Sequence, residues 1–488
     1  MQNSRVTQTA TVKTEGSLLL SKLSNLFVGL IVFFASTQLG FHFWSASSLV
    51  YGIRIDYLSP TIYFLDTLIV LFLAVKGSDL KGRAQPADAK AGRSDPIGTI
   101  VPILLVNLLY SQNPLATLSW SLHFLLYCLF FTALLPQFRS LRDSRRAIGT
   151  LRPILMVALS LSLLFQTILA SVQVFLGHSV GGLVYYLGER TVAVGAPGIA
   201  LGTFMDHVVL RAYGTFSHPN ILAGWSVVSL LILIQLSQTA NPNASKQQVV
   251  RGSDPLRKSW PTAKMFSRLQ NTIRRPGQTL WVPLISVLLI IFLTQSRAAA
   301  LALFGLIIPL YLLKNLKLRF LYYFITLLLY YSLATSLLSP PRSDLSLSQR
   351  ATLQGVSLST IREFPIFGTG TQASISTYPS VVPNFRLLQP DHNSLTLFLS
   401  WFGLFGVLAV IVLALGSDLL KKSWLSAKMF SRTSKASSET RSDPAWIIIP
   451  LLPLLFFDHY LLTSPQGSFI LLLYLFCTLN YPYAQKNL

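Results

Sequence analysis

Three short stretches of this sequence hold side chains suited to acid–base or anion chemistry at the edge of an apolar phase. The first is Pro390-Asp391-His392-Asn393, which places a histidine between a carboxylate and an amide just ahead of a long apolar run. An imidazole at a water boundary can serve as a general base near neutral pH. Asn393 is a good N-cap residue, so a helix starting there turns its positive dipole end, and a preference for anions, toward the same spot. The second is Arg297, wedged between the apolar runs 288–294 and 298–313. A cation that close to hydrocarbon is costly and tends to be functional, although an arginine snorkelling at a helix end leaves the same signature. The third is Arg211, in Arg211-Ala212-Tyr213-Gly214-Thr215-Phe216-Ser217-His218-Pro219-Asn220, with His207 and His218 on either side. No third ligand follows at metal spacing, so no metal site is expected. His42, His123, His178 and His459 are scattered singly and read as structural.

The elements that must position these residues follow from composition. Of 488 residues, 52% are hydrophobic and 11% charged, with a mean hydropathy of +0.54. Soluble domains carry roughly 25% charged residues, so this chain cannot cover a globular surface of its size. Its apolar residues fall in blocks of about 15 to 25, the length that crosses a bilayer as helix. The blocks run 25–44, 58–76, 98–112, 114–136, 153–176, 219–237, 280–295, 298–313, 319–338, 393–415, 446–463 and 467–483. Strand-type alternation is absent, so the expectation is an all-α polytopic membrane protein of about twelve transmembrane helices. The first block, with Lys13 and Lys22 ahead of it, imitates a signal peptide, but eleven further blocks make an uncleaved helix the better reading. Cys128 and Cys477 both fall inside blocks, and neither a disulfide nor metal ligation is expected of them.

The 39 Lys and Arg against 17 Asp and Glu give a net charge of +22, which first suggests nucleic acid. Cations are retained on the cytoplasmic side of membrane proteins, so their distribution decides. With the N-terminus inside and twelve alternating spans, 31 cations fall inside and 8 outside. The excess is therefore mainly a topology signal, and nucleic acid is not an expected partner. All eight external cations are arginine: Arg54, Arg190, Arg211, Arg297, Arg342, Arg350, Arg362 and Arg386. Arginine offers a rigid fork of donors suited to phosphate, which leans toward an anionic ligand outside.

This layout divides the chain into a cytoplasmic segment 1–24, a transmembrane domain 25–483 and a cytoplasmic tail 484–488. Outer loops 177–218 and 339–392 are long enough to hold short helices, and such loops are usually functional. Within the second, 348–364 reads as a helix stopped by Pro365, followed by a tight turn at Gly368-Thr369-Gly370. The basic cytoplasmic loops are 77–97, 238–279 and 416–445. Two of the inner stretches are near copies, Gly252–Arg268 and Gly416–Arg432, identical at 13 of 17 positions. They read either as basic helices lying on the inner leaflet or as a duplicated insertion, and the second is favoured because they lie opposite the chemistry-bearing loops. Equally informative is what is missing. There is no Asp-x-Asp pair, no GxxxxGK[ST] phosphate loop and no HExxH, so energy from cytosolic nucleotides is not expected to enter through this chain.

Taken in order, RAYGTFSHPNILAG (211–224), TQSRAAALAL (294–303), RATLQGVSLSTIREFPIFGTG (350–370) and DHNSLTLFLSWFGLFG (391–406) resemble the O-antigen ligase and O-antigen polymerase superfamily. The resemblance covers roughly 205–415 by motif and the whole length by span layout. It implies a GT-C-like helical fold in the plasma (inner) membrane and a glycosyltransferase without cofactor or metal. Such an enzyme moves a glycan from a polyprenyl-diphosphate donor to a glycan, lipid or protein acceptor on the outer face. Carried over by position, Arg211 and Arg297 would bind the donor diphosphate, with help from Arg350. His392 would be the general base, supported by Asp391, Asn393 and His218. The chain departs from the family's pattern at Trp401, where a glutamate is often found, and in its bulky cytoplasmic repeats. Ligase, polymerase and protein O-glycosyltransferase stay open. The competing reading from another class is a twelve-span transporter or lipid-linked glycan flippase, whose midplane groups would have to come from Asp66, His123 and the Asp458-His459 pair.

Overall fold

The computed structural model describes residues 19–81, 96–139, 144–238, 280–304, 345–381, 387–416 and 451–485. The expected span 319–338, the two near-copies, Arg342 and Arg386 lie outside these residues, as does most of the N-terminal segment.

The described chain is mostly helical. Its helices are α1 (Leu19–Phe34), α2 (Phe64–Lys81), α3 (Pro96–Leu109), α4 (Pro114–Arg139), α5 (Ser144–Leu176), α6 (Pro219–Gln238), α7 (Trp281–Thr294) and α8 (Arg297–Ala302). They continue with α9 (Leu345–Glu363), α10 (Ser394–Gly416), α11 (Leu452–Phe457), α12 (Tyr460–Thr463) and α13 (Pro465–Gln485). Among the described residues, four helices are long and apolar enough to cross a membrane, in α4, α5, α6 and α10, and α1, α3, α7 and α13 are shorter apolar helices. The centre of the bundle is α6, which is apolar on all sides and buries Trp225, Val228, Leu231 and Ile232 against α5, α7 and α13. A helix hydrophobic all round is expected only where every face is covered.

Four of the expected spans are not continuous helices. The block 25–44 is helical only to Phe34, and 58–76 only from Phe64. Between them, β1 (Gly40–His42) pairs antiparallel with β4 (Thr61–Tyr63), and β2 (Leu49–Val50) with β3 (Ile53–Arg54). Alternating aromatic and β-branched residues there favour strand over helix, and Gly40 admits the Tyr63 ring, which a Cβ would meet at 2.7 Å. A third ribbon, β5 (Leu201–Phe204) with β6 (His207–Leu210), lies in loop 177–218. The block 446–463 is broken as well. Helix α11 stops at Asp458, which is fully extended (φ −154°, ψ 160°), and α12 is a single turn before Pro465 opens α13.

The most consequential interruption is in α10, where Gly403 leaves the helix (φ 59°, ψ −157°). The backbone groups freed there are taken up by the segment after α9. Thr369 N–H donates to Ser400 O (2.9 Å) and Gly370 N–H to Trp401 O (3.0 Å). In return, Leu404 N–H donates to Pro365 O and Phe405 N–H to Ile366 O, both at 2.9 Å. Asn107 of α3 completes the splice, its side-chain amide donating to Trp401 O (2.7 Å) and its oxygen accepting from Thr371 N–H (3.0 Å). Trp401, the departure from the family pattern, is buried at this splice with its indole N–H on Ser374 Oγ (3.3 Å).

Both glycines of the splice are required by space. A Cβ on Gly368 would lie 2.4 Å from the Trp401 carbonyl carbon, and one on Gly403 2.5 Å from Ile366 O, and both residues have positive φ. Gly368→Ala and Gly403→Ala are expected to lower the melting temperature of the detergent-solubilised protein by several degrees. Gly355→Ala, inside α9 with nothing within 4 Å of the added methyl, is the matched control and is expected to hold or raise it. Equal melting temperatures for all three variants would show that the splice does not constrain the fold.

Candidate active site

Loop residues 211–216 are tied down by two glutamines inside α5. The Gln173 side-chain oxygen accepts from Tyr213 N–H (3.1 Å) and Gly214 N–H (2.7 Å), and its amide donates to Gly214 O and to Glu189 (2.9 and 2.8 Å). Two helical turns earlier, the Gln166 oxygen accepts from Thr215 N–H (3.1 Å), while its amide reaches Thr215 Oγ1 and Ser36. Glu189 itself is buried and accepts from Val180 and Gly181 N–H, so loop 177–218 folds onto one internal carboxylate.

This anchoring delivers Arg211 to the C-terminal end of α7. Its Nε donates to Thr294 O (2.6 Å) and one terminal nitrogen to Asn220 Oδ1 (2.7 Å). Burial lowers its pKa from the ordinary value, yet an arginine stays charged, and a helix C-terminus favours a cation. His218 follows on the same turn. Asn220 N–H donates to its Nδ1 (3.2 Å), which leaves the ring proton on Nε2. Arg350 of α9 repeats the arrangement at another helix end, donating to Phe457 O at the close of α11 (3.1 Å).

His392 stands two residues before α10, with Nδ1 3.4 Å from Asp458 Oδ1 and its ring 5.0 Å from that of His459. That approach is longer than a good hydrogen bond, so the pair is aligned without being tightly bonded. Ser394 Oγ donates to Asp458 O (2.7 Å), which pins the broken segment after α11 to the start of α10. Asp391 turns away. Its carboxylate accepts from Asn393 N–H (3.1 Å) and from the Thr396 hydroxyl, and burial raises its pKa. Asn393 caps α10, its side-chain oxygen accepting from Leu395 N–H at 2.9 Å and Thr396 N–H at 3.3 Å.

Arg211 and His218 of one loop, Arg350 of α9 and His392 before α10 thus come from three separate stretches of chain to line one cavity of about 750 Å³. Asp391 and Asn393 do not line it and serve as supports. Arg297 does not line it either. It opens α8 as an exposed residue, near enough to Arg211 to lower that group's pKa further. Asp458 and His459 belong to the cavity wall although His459 reads as structural in the sequence. His392, Asp458 and His459 offer ligand atoms within 4.8 Å of one another, a group that could hold a metal ion where none was expected from spacing. The opposite wall carries His42, Arg190 and Asp56, the last two joined at 2.7 Å, and reaches down to His123, which meets Asp66 of α2 at 3.1 Å. No family model matches the chain, and a search of curated proteins finds no match.

Burial pushes the His218 pKa down from 6.5 to about 4, so the ring is neutral in the folded protein and charges in the unfolded one. The unfolded state then binds more protons between those two values. The stability due to this group is complete above about 6.5 and is lost as pH falls toward 4. His218→Gln is expected to flatten the fall in melting temperature between pH 6.5 and 4 without changing it above pH 7. A fall as steep as that of the parent protein would contradict the neutral assignment.

Proposed function

We propose that this protein is a membrane glycosyltransferase of the O-antigen ligase and polymerase type. It moves a glycan from a polyprenyl-diphosphate donor to an acceptor hydroxyl on the outer face of the plasma membrane. The observation that carries the reading is the convergence of Arg211, Arg350, His218 and His392 on one cavity where the helices end. Every connection lining it joins helices at the same end of the bundle: α1 to α2, α5 to α6, and the breaks around α10 and α12. With the cations of the remaining loops held inside, that end faces outward, in a layout of twelve spans with both termini cytoplasmic.

Each group then has a role. A glycosyl diphosphate leaves with growing negative charge, which Arg211 and Arg350 stabilise from fixed positions on helix ends. The Nε2 proton of His218 is a further donor to a diphosphate oxygen. Arg297 adds positive potential from α8. The acceptor hydroxyl attacks the anomeric carbon, the bond from that carbon to the diphosphate oxygen breaks, and the hydroxyl proton passes to His392. Asp458 orients the His392 ring through Nδ1 and leaves Nε2 for the hydroxyl. One displacement inverts the configuration at the sugar carbon, and nothing in the sequence of steps uses a metal or cofactor.

A second reading, transporter or flippase, draws on the Asp66–His123 pair inside α2 and α4. A transfer assay with membranes containing the lipid-linked donor separates the two. His392→Ala is expected to lower the transfer rate by about 10²–10⁴-fold. Arg211→Ala and Arg350→Ala are expected to lower it about tenfold to a thousandfold each. All three variants should insert and purify as the parent does. The product should carry inverted anomeric configuration, and chelator should leave the rate unchanged. Unaltered transfer in the three variants would sink the site, and a retained configuration would sink the single displacement.

A further inference from the structure

The β5–β6 hairpin has a tip that water does not explain. Its strands turn on Met205 and Asp206, both at positive φ (47° and 63°). Two-residue hairpin turns of this kind favour asparagine, aspartate and glycine. A methionine there carries the steric cost of the left-handed region, which glycine would avoid. It is also 78% exposed, beside Val208 at 58% and Phe204 at 46%. An isolated two-stranded hairpin is marginal in water, and an exposed apolar tip adds to that cost.

Its position supplies the missing partner. At the root, Arg211 N–H donates to Ala200 O (3.2 Å) and Ala212 N–H to Leu293 O of α7 (3.1 Å). Further out, Gln295 at the end of α7 donates its side-chain amide to Thr203 O (3.1 Å), and Gly202 lies flat against that side chain. Phe204 then meets Phe292 edge to face, with ring centroids 5.9 Å apart. The hairpin therefore lies across the C-terminal end of α7 and overhangs one face of it. That face is the row Val282, Ile285, Leu289 and Phe292, spaced by three and four residues and exposed along its length. In a helix of this composition, such a row faces lipid.

We propose that the β5–β6 hairpin is an interfacial wedge, seated at the boundary of headgroups and acyl chains in the leaflet on the cavity's side. Phe204, Met205 and Val208 meet lipid there. A deeper position is excluded because the free strand edges and Asp206 need water or headgroups for their polar groups. Amphipathic segments of this kind settle roughly 5–10 Å into the boundary. Arg211 follows β6 directly, so the wedge also sets the height of that guanidinium at the level of lipid phosphates. This last consequence rests on the proposed donor site, and the wedge does not.

The test is fluorescence quenching on the full chain. Met205→Cys and Val208→Cys are made in a Cys128→Ser, Cys477→Ser background and labelled with a nitrobenzoxadiazole thiol reagent. The proteins are reconstituted into phosphatidylethanolamine–phosphatidylglycerol vesicles containing nitroxide lipids. The expected result at both positions is blue-shifted emission and loss of most of the intensity to a nitroxide near the headgroup. A nitroxide deep in the chain should quench less, and aqueous iodide little. Strong iodide quenching with none from lipid would overturn the wedge, because the tip would then lie in water. Quenching by neither would overturn it too, with the tip covered by protein. Cysteine at these exposed positions should be tolerated, and α7 offers an independent check: Phe292→Cys should be quenched by the same lipids. The outcome does not depend on transfer activity, so loss of transfer in Arg211→Ala with normal quenching at residue 205 leaves the wedge standing.

Discussion

Backbone groups released from a helix inside an apolar shell must find new partners, at several kcal/mol for each one that does not. This chain interrupts its helical runs around residues 35–63, at Gly403 and at Asp458–His459, and the structure is organised by how each break is repaired. At Gly403 the repair is another stretch of backbone, stitched to both sides of the kink. At Asp458 it is the Ser394 hydroxyl and the Arg350 guanidinium, which donate to the exposed carbonyls of Asp458 and Phe457. The breaks are therefore where the polar residues gather, and those at 35–63 and Asp458–His459 line the cavity. Irregular backbone at membrane depth is tolerated only where it lines such a cavity or is buried in protein.

The arginines share one device. Arg211 caps Thr294 at the end of α7, Arg350 caps Phe457 at the end of α11, and Arg152 donates to Leu236 near the end of α6 (2.7 Å). A guanidinium has five donors in a planar fork, so spending one or two on a helix end fixes its orientation and leaves others for a ligand. The negative end of the helix dipole offsets part of the cost of burying the charge. Lysine, with one flexible charge, could not be both anchored and presented in this way. This gives a structural reason for arginine at these positions that goes beyond affinity for phosphate.

Much of this was legible in the sequence, and the exceptions have physical causes. His392, Arg211 and His218 stood out because they sit close to the ends of apolar blocks, where a charge or imidazole is conspicuous, while Arg350 was singled out through the family resemblance. The helix expected over 348–364 from local chemistry is present as Leu345–Glu363, starting three residues earlier and stopping before Pro365. Asp458 and His459 stood out only as ionisable groups inside a span, suited to a transporter, because Leu451–Thr463 is apolar enough to read as one span and nothing local marks where an extended residue will interrupt it. Gln166 and Gln173 were silent. A lone glutamine in a span has no signature, and its meaning comes only from the loop that docks on it. Arg297 was marked by its cost near hydrocarbon, and the structure places it at the start of α8, off the cavity wall. The net charge misled until its distribution was read, after which it pointed to an expected orientation.

The splice at Gly403 bears on how this part of the molecule can move. Segment 365–370 shares four backbone hydrogen bonds with α10, so among the described residues it cannot lift away like a flap without unravelling its neighbour. Any displacement of that segment has to carry the two halves of α10 with it, as one body.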